Sequence, residues 1–258
     1  MNVSVGFIGV GGIAKAIVTG LCSAPDFTGK IWLSNPSPEK TAVLKNLYPD
    51  KIIVAKDNQD VANNAEIIFP AVRPQIIEHV MREIEFRKEN RIVHIAMGTK
   101  IEKAAPWFAP AVRIVRAVPL PFAAERMGPV VLYGDDAVSA RLLSMVGEVV
   151  KVETERELEI LAAVTGLMAP YYALLGEFIK WSREKGLAFD SALDYTCSMS
   201  EALSKYMRAE CTQDVAAFLT ENSTPGGTNE MAHRLLREQN AFDVWHRALD
   251  AIGKRYDL

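Results

Sequence analysis

Cysteine is scarce in this chain: three in 258 residues, Cys22, Cys197 and Cys211. None forms a C-x-x-C pair, and none lies at ligand spacing from a histidine. That argues against a thiolate metal centre or a dithiol redox site, and leaves three free thiols. Charge of one sign is lacking too. Twenty-nine Lys and Arg face 32 Asp and Glu, for a net charge of −3. The basic residues are dispersed, so no nucleic-acid face is expected. Met1-Asn2-Val3 has neither a basic leader nor a cleavage site. No run approaches the roughly 18 apolar residues expected of a membrane span. A soluble, cytoplasmic protein is expected, with no metal, no membrane and no nucleic acid among its partners. An apolar share of 49% is ordinary for a globular chain.

What is present begins at the third residue. Val3-Ser4-Val5-Gly6-Phe7-Ile8 has the length and character of a strand. It breaks into Gly9-Val10-Gly11-Gly12-Ile13-Ala14 and continues as a helical pattern. This is G-x-G-x-x-A in a strand–turn–helix setting, the fingerprint of a dinucleotide-binding βαβ unit. Gly9 permits the tight turn. Gly11 lets a pyrophosphate approach the backbone, and Ala14 lets the helix lie close to the strand. The helix start offers free N–H groups and partial positive charge. The alternative is an ordinary glycine turn.

Which dinucleotide is read from the end of the second strand, Lys30-Ile31-Trp32-Leu33. An NAD site usually carries an acid about 20 residues beyond the glycine loop. Here Ser34, Asn35 and Ser37 supply hydroxyl and amide donors, with Lys40 one helical turn on. Donors and a cation suit a 2′-phosphate, so NADP(H) is preferred over NAD(H). Glu39 is the counter-evidence, but it falls in the next helix. A polar turn with Ser37 as N-cap and Pro38 at the first helical position explains the same residues.

Strands are expected at 3–8, 30–33, 52–54, 66–72, 91–95, 112–118 and 129–133. Helices fall between them at 12–23, 37–47, 58–63, 74–88 and 100–107. The alternation predicts an α/β fold, a Rossmann-type parallel sheet with helices on both faces. Pro70 is expected to end a strand or mark a bulge. From Glu155 onward helical patterns dominate: a long apolar helix interrupted at Pro170, then helices near 189–208, 212–220, 228–238 and 242–255. The expected organisation is a dinucleotide-binding domain over 1–154 and an all-α dimerisation and substrate domain over 155–258. So much apolar helical surface needs burial. A homodimer or higher homo-oligomer through these helices provides it; the alternative is a helical lobe folded back on the sheet.

A second glycine segment reads Thr224-Pro225-Gly226-Gly227-Thr228-Asn229-Glu230, followed by a helix through Leu235 and Leu236. Glycines ahead of a helix leave backbone N–H groups bare, which makes an anion site suited to a carboxylate. Thr228 or Asn229 as a simple helix cap is the plainer explanation. Glu230 reads as a partner of the helix dipole. The histidines at 79, 94, 233 and 246 are scattered and read as structural.

The glycine loop, Ala71-Val72-Arg73-Pro74-Gln75, Arg116-Ala117-Val118-Pro119 and Thr224-Pro225-Gly226-Gly227-Thr228 occur in the order found in pyrroline-5-carboxylate reductases. The resemblance covers nearly the whole chain. It implies NAD(P)H-dependent reduction of the ring imine of 1-pyrroline-5-carboxylate to proline, a step of proline biosynthesis. It implies that Gly9–Ala14, Ser34, Asn58, Ala71, Val72, Arg73, Pro74, Ala96, Met97 and Gly98 line the cofactor. It also implies that Gly226, Gly227, Thr228 and Asn229 hold the substrate, with a partner subunit helping to close the site.

The sequence departs from the family in four places. Asn229 stands where the family has a Thr whose hydroxyl meets the substrate nitrogen, and Asn still donates and accepts. Thr228 and Asn229 are thus the expected catalytic pair. Val118-Pro119-Leu120-Pro121 is shorter than the family's Met-Pro-Asn-Thr-Pro and lacks its Asn. Leu167 and Met168 replace small residues in Thr165-Gly166-Leu167-Met168-Ala169-Pro170-Tyr171. Arg73 replaces a Lys. These changes keep two other readings open: a reductase of a more apolar imine or carbonyl compound, and a non-catalytic NADP(H)-binding sensor.

Overall fold

The computed structural model describes residues 1–34 and 38–258; the readings placed on Asn35 and Ser37 lie outside the described residues. The chain divides into two compact units, Met1–Ala162 and Ala163–Leu258.

In the first unit, eight strands among the described residues form one sheet. They are β1 (Val5–Ile8), β2 (Ile31–Ser34), β3 (Ile52–Val54), β4 (Ile67–Pro70), β5 (Arg91–His94), β6 (Arg113–Val118), β7 (Pro129–Tyr133) and β8 (Glu148–Val152), in the order β3-β2-β1-β4-β5-β6-β7-β8. The first six run parallel; β7 is antiparallel to β6, and β8 parallel to β7. The helices are α1 (Gly12–Ser23), α2 (Pro38–Leu47), α3 (Asn58–Asn64), α4 (Ile77–Arg82), α5 (Ile101–Ala104), α6 (Ala137–Leu143) and α7 (Glu155–Thr165). Period-two alternation along the strands feeds two cores. Val5, Phe7, Leu33, Phe69 and Val93 join one with α1. Ile8, Ile68 and Ile92 join the other with α3 and α4. Phe7 and Phe69 stack with centroids 4.6 Å apart. Chain order reverses between β1 and β4, and the glycine turn leaves β1 at that switch point, where ligands bind in open α/β sheets.

Several expectations need correcting. The helix expected over 74–88 is confined to α4. Asn90 holds the following loop by accepting from the Arg87 N–H and donating to the carbonyls of Ala62 and Ala65; such side-chain bonds compete with helix. β8 and α6 were not foreseen. β8 (Glu-Val-Val-Lys-Val) is a partly exposed edge strand with little apolar contrast. Pro70 does end its strand, paired with Ile8. The compact unit Met1–Ala162 includes the opening turns of α7, where Leu158 and Ala162 are buried with Val118 and Val131.

The second unit contains the end of α7, then α8 (Met168–Glu184), α9 (Phe189–Glu210), α10 (Val215–Glu221), α11 (Thr228–Glu238) and α12 (Ala241–Gly253). The helix break falls at Gly166–Leu167, and Pro170 sits in the first turn of α8, where its missing N–H costs nothing. The expectation about long apolar runs also needs correcting. No charged residue occurs from Ile160 to Gly176, and Glu155–Glu184 is long and apolar enough by composition to cross a membrane. The segment is broken into two helices, and its opening turns contribute Leu158 and Glu159 to the buried interior. Along α8 and α9, Tyr172, Trp181, Tyr195 and Leu203 are more than half exposed.

Candidate active site

The turn after β1 is fixed by its neighbours. Gly9 has φ +94°, and its N–H donates to the Ser34 carbonyl at 2.8 Å. A Cβ on Gly9 would lie 2.9 Å from the Ala71 carbonyl oxygen. Ala71 is held in place by its own N–H, which donates to Ile8. Val10 and Ala14 are buried, and Ala14 packs into the core beside α1.

The next two glycines face open space. A Cβ on Gly11 would meet only the Ala71 carbonyl oxygen, at 3.9 Å, and one on Gly12 would meet nothing within 4 Å. Gly11 is the N-cap of α1; no side chain caps it and no acid stands in the first turn. The first-turn N–H groups that a helix cannot satisfy itself are thus left to an external anion. These features fit a dinucleotide pyrophosphate: bare backbone, a helix start and no competing carboxylate.

A cleft of about 360 Å³ opens here, lined by Gly11–Ala14, Pro70–Pro74, Ile95, Ala96, Met97, Val118 and Pro119. The structure thus brings Gly11, Gly12, Ile13, Ala14, Ala71, Val72, Arg73, Pro74, Ala96 and Met97 together. Gly98, at φ +78°, follows in the same loop without lining the cleft. Ser34 is buried at the tip of β2, and its hydroxyl donates to the Asn58 side-chain oxygen. Those two residues therefore meet beside the glycine turn, not in the cleft. Pro70, Ile95, Val118 and Pro119 were not singled out as lining residues. Their signal was positional: each stands at or just after the carboxyl end of a strand.

Beneath the loop that begins at Ile95 lies a buried charge cluster. Arg116, 1% exposed, donates from Nη1 to Glu155 Oε1 at 2.9 Å and to Glu159 Oε1 at 3.2 Å. His94 pairs in register with Arg116 across the sheet, and its Nε2 lies 3.2 Å from the Thr99 carbonyl. A carbonyl only accepts, so Nε2 carries the proton. Burial, then the Arg116 charge, push the His94 pKa down to about 4, so the ring is neutral at neutral pH. Removing one member of such a pair costs about 3–5 kcal/mol, because the other charge is left buried alone.

The second glycine segment lies in the other unit. Gly226 has φ +72° with open space at its Cβ position. Gly227 is the N-cap of α11, with Thr228 and Asn229 as the first two helical residues. Neither Thr228 nor Asn229 caps the helix, contrary to the simpler explanation. The Gly226 N–H donates instead to Glu230 Oε2 at 2.6 Å. Pro225, Glu230, His233 and Phe242 border a groove of about 660 Å³ in this unit. Among the described residues, no cluster of His, Cys, Asp and Glu is placed to hold a metal ion.

Residues 4–98 match the family described as NADP oxidoreductase, coenzyme F420-dependent. The chain is 27% identical over 262 residues to the pyrroline-5-carboxylate reductase of Pseudomonas aeruginosa, covering 97% of this chain and 94% of that protein. It is 38% identical over 122 residues to the Escherichia coli enzyme; that match spans 46% of this chain and 45% of that protein. A solved pyrroline-5-carboxylate reductase from Coxiella burnetii superposes with a TM-score of 0.82 at 26% identity, covering 99% of this chain and 97% of that one.

Proposed function

We propose that this chain, similar over nearly its whole length to pyrroline-5-carboxylate reductases, is an NADPH-dependent reductase of a cyclic imine, with 1-pyrroline-5-carboxylate as substrate and proline as product. The single observation that carries this reading is the open cradle at Gly11 and Gly12, at the switch point of the sheet, beside a cleft lined from three strand ends. NADPH supplies a hydride for the C=N carbon. The protein's part is placement. The α1 start and the bare glycine backbone bind the pyrophosphate. The 71–74 and 95–97 segments wall the cleft, and Ser34 with Asn58 fixes the edge of the turn. Two reactants held in contact geometry gain several kcal/mol over reaction in free solution, on the order of 7 or more in the best cases.

Gly226 and Gly227, with Thr228, receive the substrate carboxylate, and Asn229 meets the ring nitrogen. A protonated iminium needs no strong general acid, and none is assigned. The family description supports NADP(H), as does the lack of an acid at the end of β2. The exposed aromatic and aliphatic side chains of α8 and α9 support a homodimer, with the partner subunit helping to close the site.

A second reading is favoured by one observation. The Glu230 carboxylate already takes the Gly226 N–H, which suits a substrate of the same scaffold that lacks a carboxylate and is more apolar. Purified protein is tested for NADPH oxidation with pyrroline-5-carboxylate, with 1-pyrroline and with NADH in place of NADPH. Turnover of pyrroline-5-carboxylate is expected, faster with NADPH. Turnover of 1-pyrroline alone would favour the second reading. NADPH binding without turnover of either imine would leave a cofactor sensor.

A further inference from the structure

The buried cluster around Arg116 has no part in the hydride transfer outlined above, yet its hydrogen bonds converge on one loop. That loop, 95–100, supplies Ile95, Ala96 and Met97 to the cleft. Its carboxyl end is tied twice. His94 Nε2 holds the Thr99 carbonyl. Glu155 Oε1 accepts the Ile101 N–H at 2.9 Å, from a residue 54 positions away in the chain. Lys100, the N-cap of α5, makes no side-chain cap bond, so Glu155 fills that role from α7. The same Glu155 oxygen is gripped by Arg116 at 2.9 Å. Arg116 Nη2 and His94 Nδ1 are both buried without a hydrogen-bond partner among the described residues, a departure from full pairing that calls for an explanation.

We propose that Arg116 and Glu155 are positioning residues for the bound dinucleotide: Arg116 fixes the Glu155 carboxylate, and Glu155 fixes the Ile101 N–H and with it the wall of the cleft at Ala96 and Met97. This rests on the reading of the cleft as an NADP(H) site. A second ion-pair cluster in the same sheet serves as the control. Arg91, at the opposite end of β5, pairs with Asp136 and Glu66, neither of them in the cleft loop.

The experiment compares Glu155→Ala, Glu155→Gln and Arg91→Leu with the unaltered protein. It reads NADPH affinity by fluorescence titration and amide hydrogen exchange over 96–104 without cofactor. Glu155→Ala is expected to weaken NADPH binding about tenfold and to speed exchange across 96–104. Glu155→Gln keeps an oxygen for the Ile101 N–H, folds conservatively, and is expected to recover most of both losses. Arg91→Leu is expected to lower thermal stability while leaving affinity within about twofold. Unchanged exchange over 96–104 in Glu155→Ala would overturn the proposal whatever the cofactor does. So would an equal loss of affinity in Arg91→Leu, which would mark a general effect of lost stability. If the unaltered protein binds no NADPH while Glu155→Ala still loosens the loop, the cofactor reading falls, and the positioning of a dinucleotide falls with it; the loop anchoring alone would stand.

Discussion

The glycine turns ahead of α1 and α11 resemble each other in sequence and differ in what surrounds them. At the first, Gly9 is walled by the Ala71 carbonyl while Gly11 and Gly12 face open space, and no acid stands in the first turn of the helix. At the second, Gly226 is unwalled, and Glu230 from the first turn of its own helix takes the Gly226 N–H. One turn leaves its donors to a ligand. The other is supplied with a carboxylate by the chain itself. A Gly-rich helix start is thus a place where an anion can bind, and the side chains of the next turn decide whose anion it is.

This contrast can be broken by substitution, most strongly at the walled glycine. Gly9→Val forces a β-branched residue to φ +94° and its Cβ to 2.9 Å from the Ala71 oxygen. NADPH affinity is expected to fall by about 100-fold or more, equal to ~3 kcal/mol, in a titration followed by cofactor fluorescence. Near-normal affinity would mean that the turn does not shape the site. Gly11→Ala is the subtler case, since its Cβ has room in the protein alone. Its thermal stability is expected to stay within about 0.5 kcal/mol of the unaltered protein, while affinity drops about tenfold because the methyl group occupies the pyrophosphate's approach. Parallel loss of both would show ordinary packing damage.

At the open turn, Gly226→Ala meets no neighbour and bears only the left-handed backbone, a cost of about 1–2 kcal/mol, read as a lower midpoint of unfolding with NADPH affinity unchanged. The smallest effect is expected from Glu230→Ala. Freeing the Gly226 N–H and removing a negative charge should lower KM for pyrroline-5-carboxylate about threefold, a change of ~0.6 kcal/mol, with kcat little altered. An unchanged KM would take the substrate carboxylate away from this turn.

The same two turns show how far the sequence could be read. The parallel sheet, the glycine turn and its residues were legible because strand, turn and helix patterns agreed over residues 3–23. The cleft walls at Ala71–Pro74 and Ala96–Met97 came through the family resemblance, and the neighbouring Val118 and Pro119 are explained by their place at a strand end. β8 was illegible because an edge strand reading Glu-Val-Val-Lys-Val has too little apolar contrast. The tie from Glu155 to Ile101 was illegible for a different reason. It joins residues 54 positions apart, and no local pattern records such a contact. The Glu230 bond to Gly226 spans four residues, close enough to be foreseen as a dipole effect but not as a specific hydrogen bond.

The central claim, hydride delivery from NADPH to an imine at this cleft, is tested most directly with NADPH deuterated at C4 and pyrroline-5-carboxylate, the product being weighed by mass spectrometry. With the label on the transferred face, the account predicts proline heavier by about one mass unit, formed by the unaltered protein and not by Gly9→Val, in keeping with a cofactor that carries the hydride. Unlabelled product from cofactor labelled on either face, or no product while NADPH is bound, would contradict it.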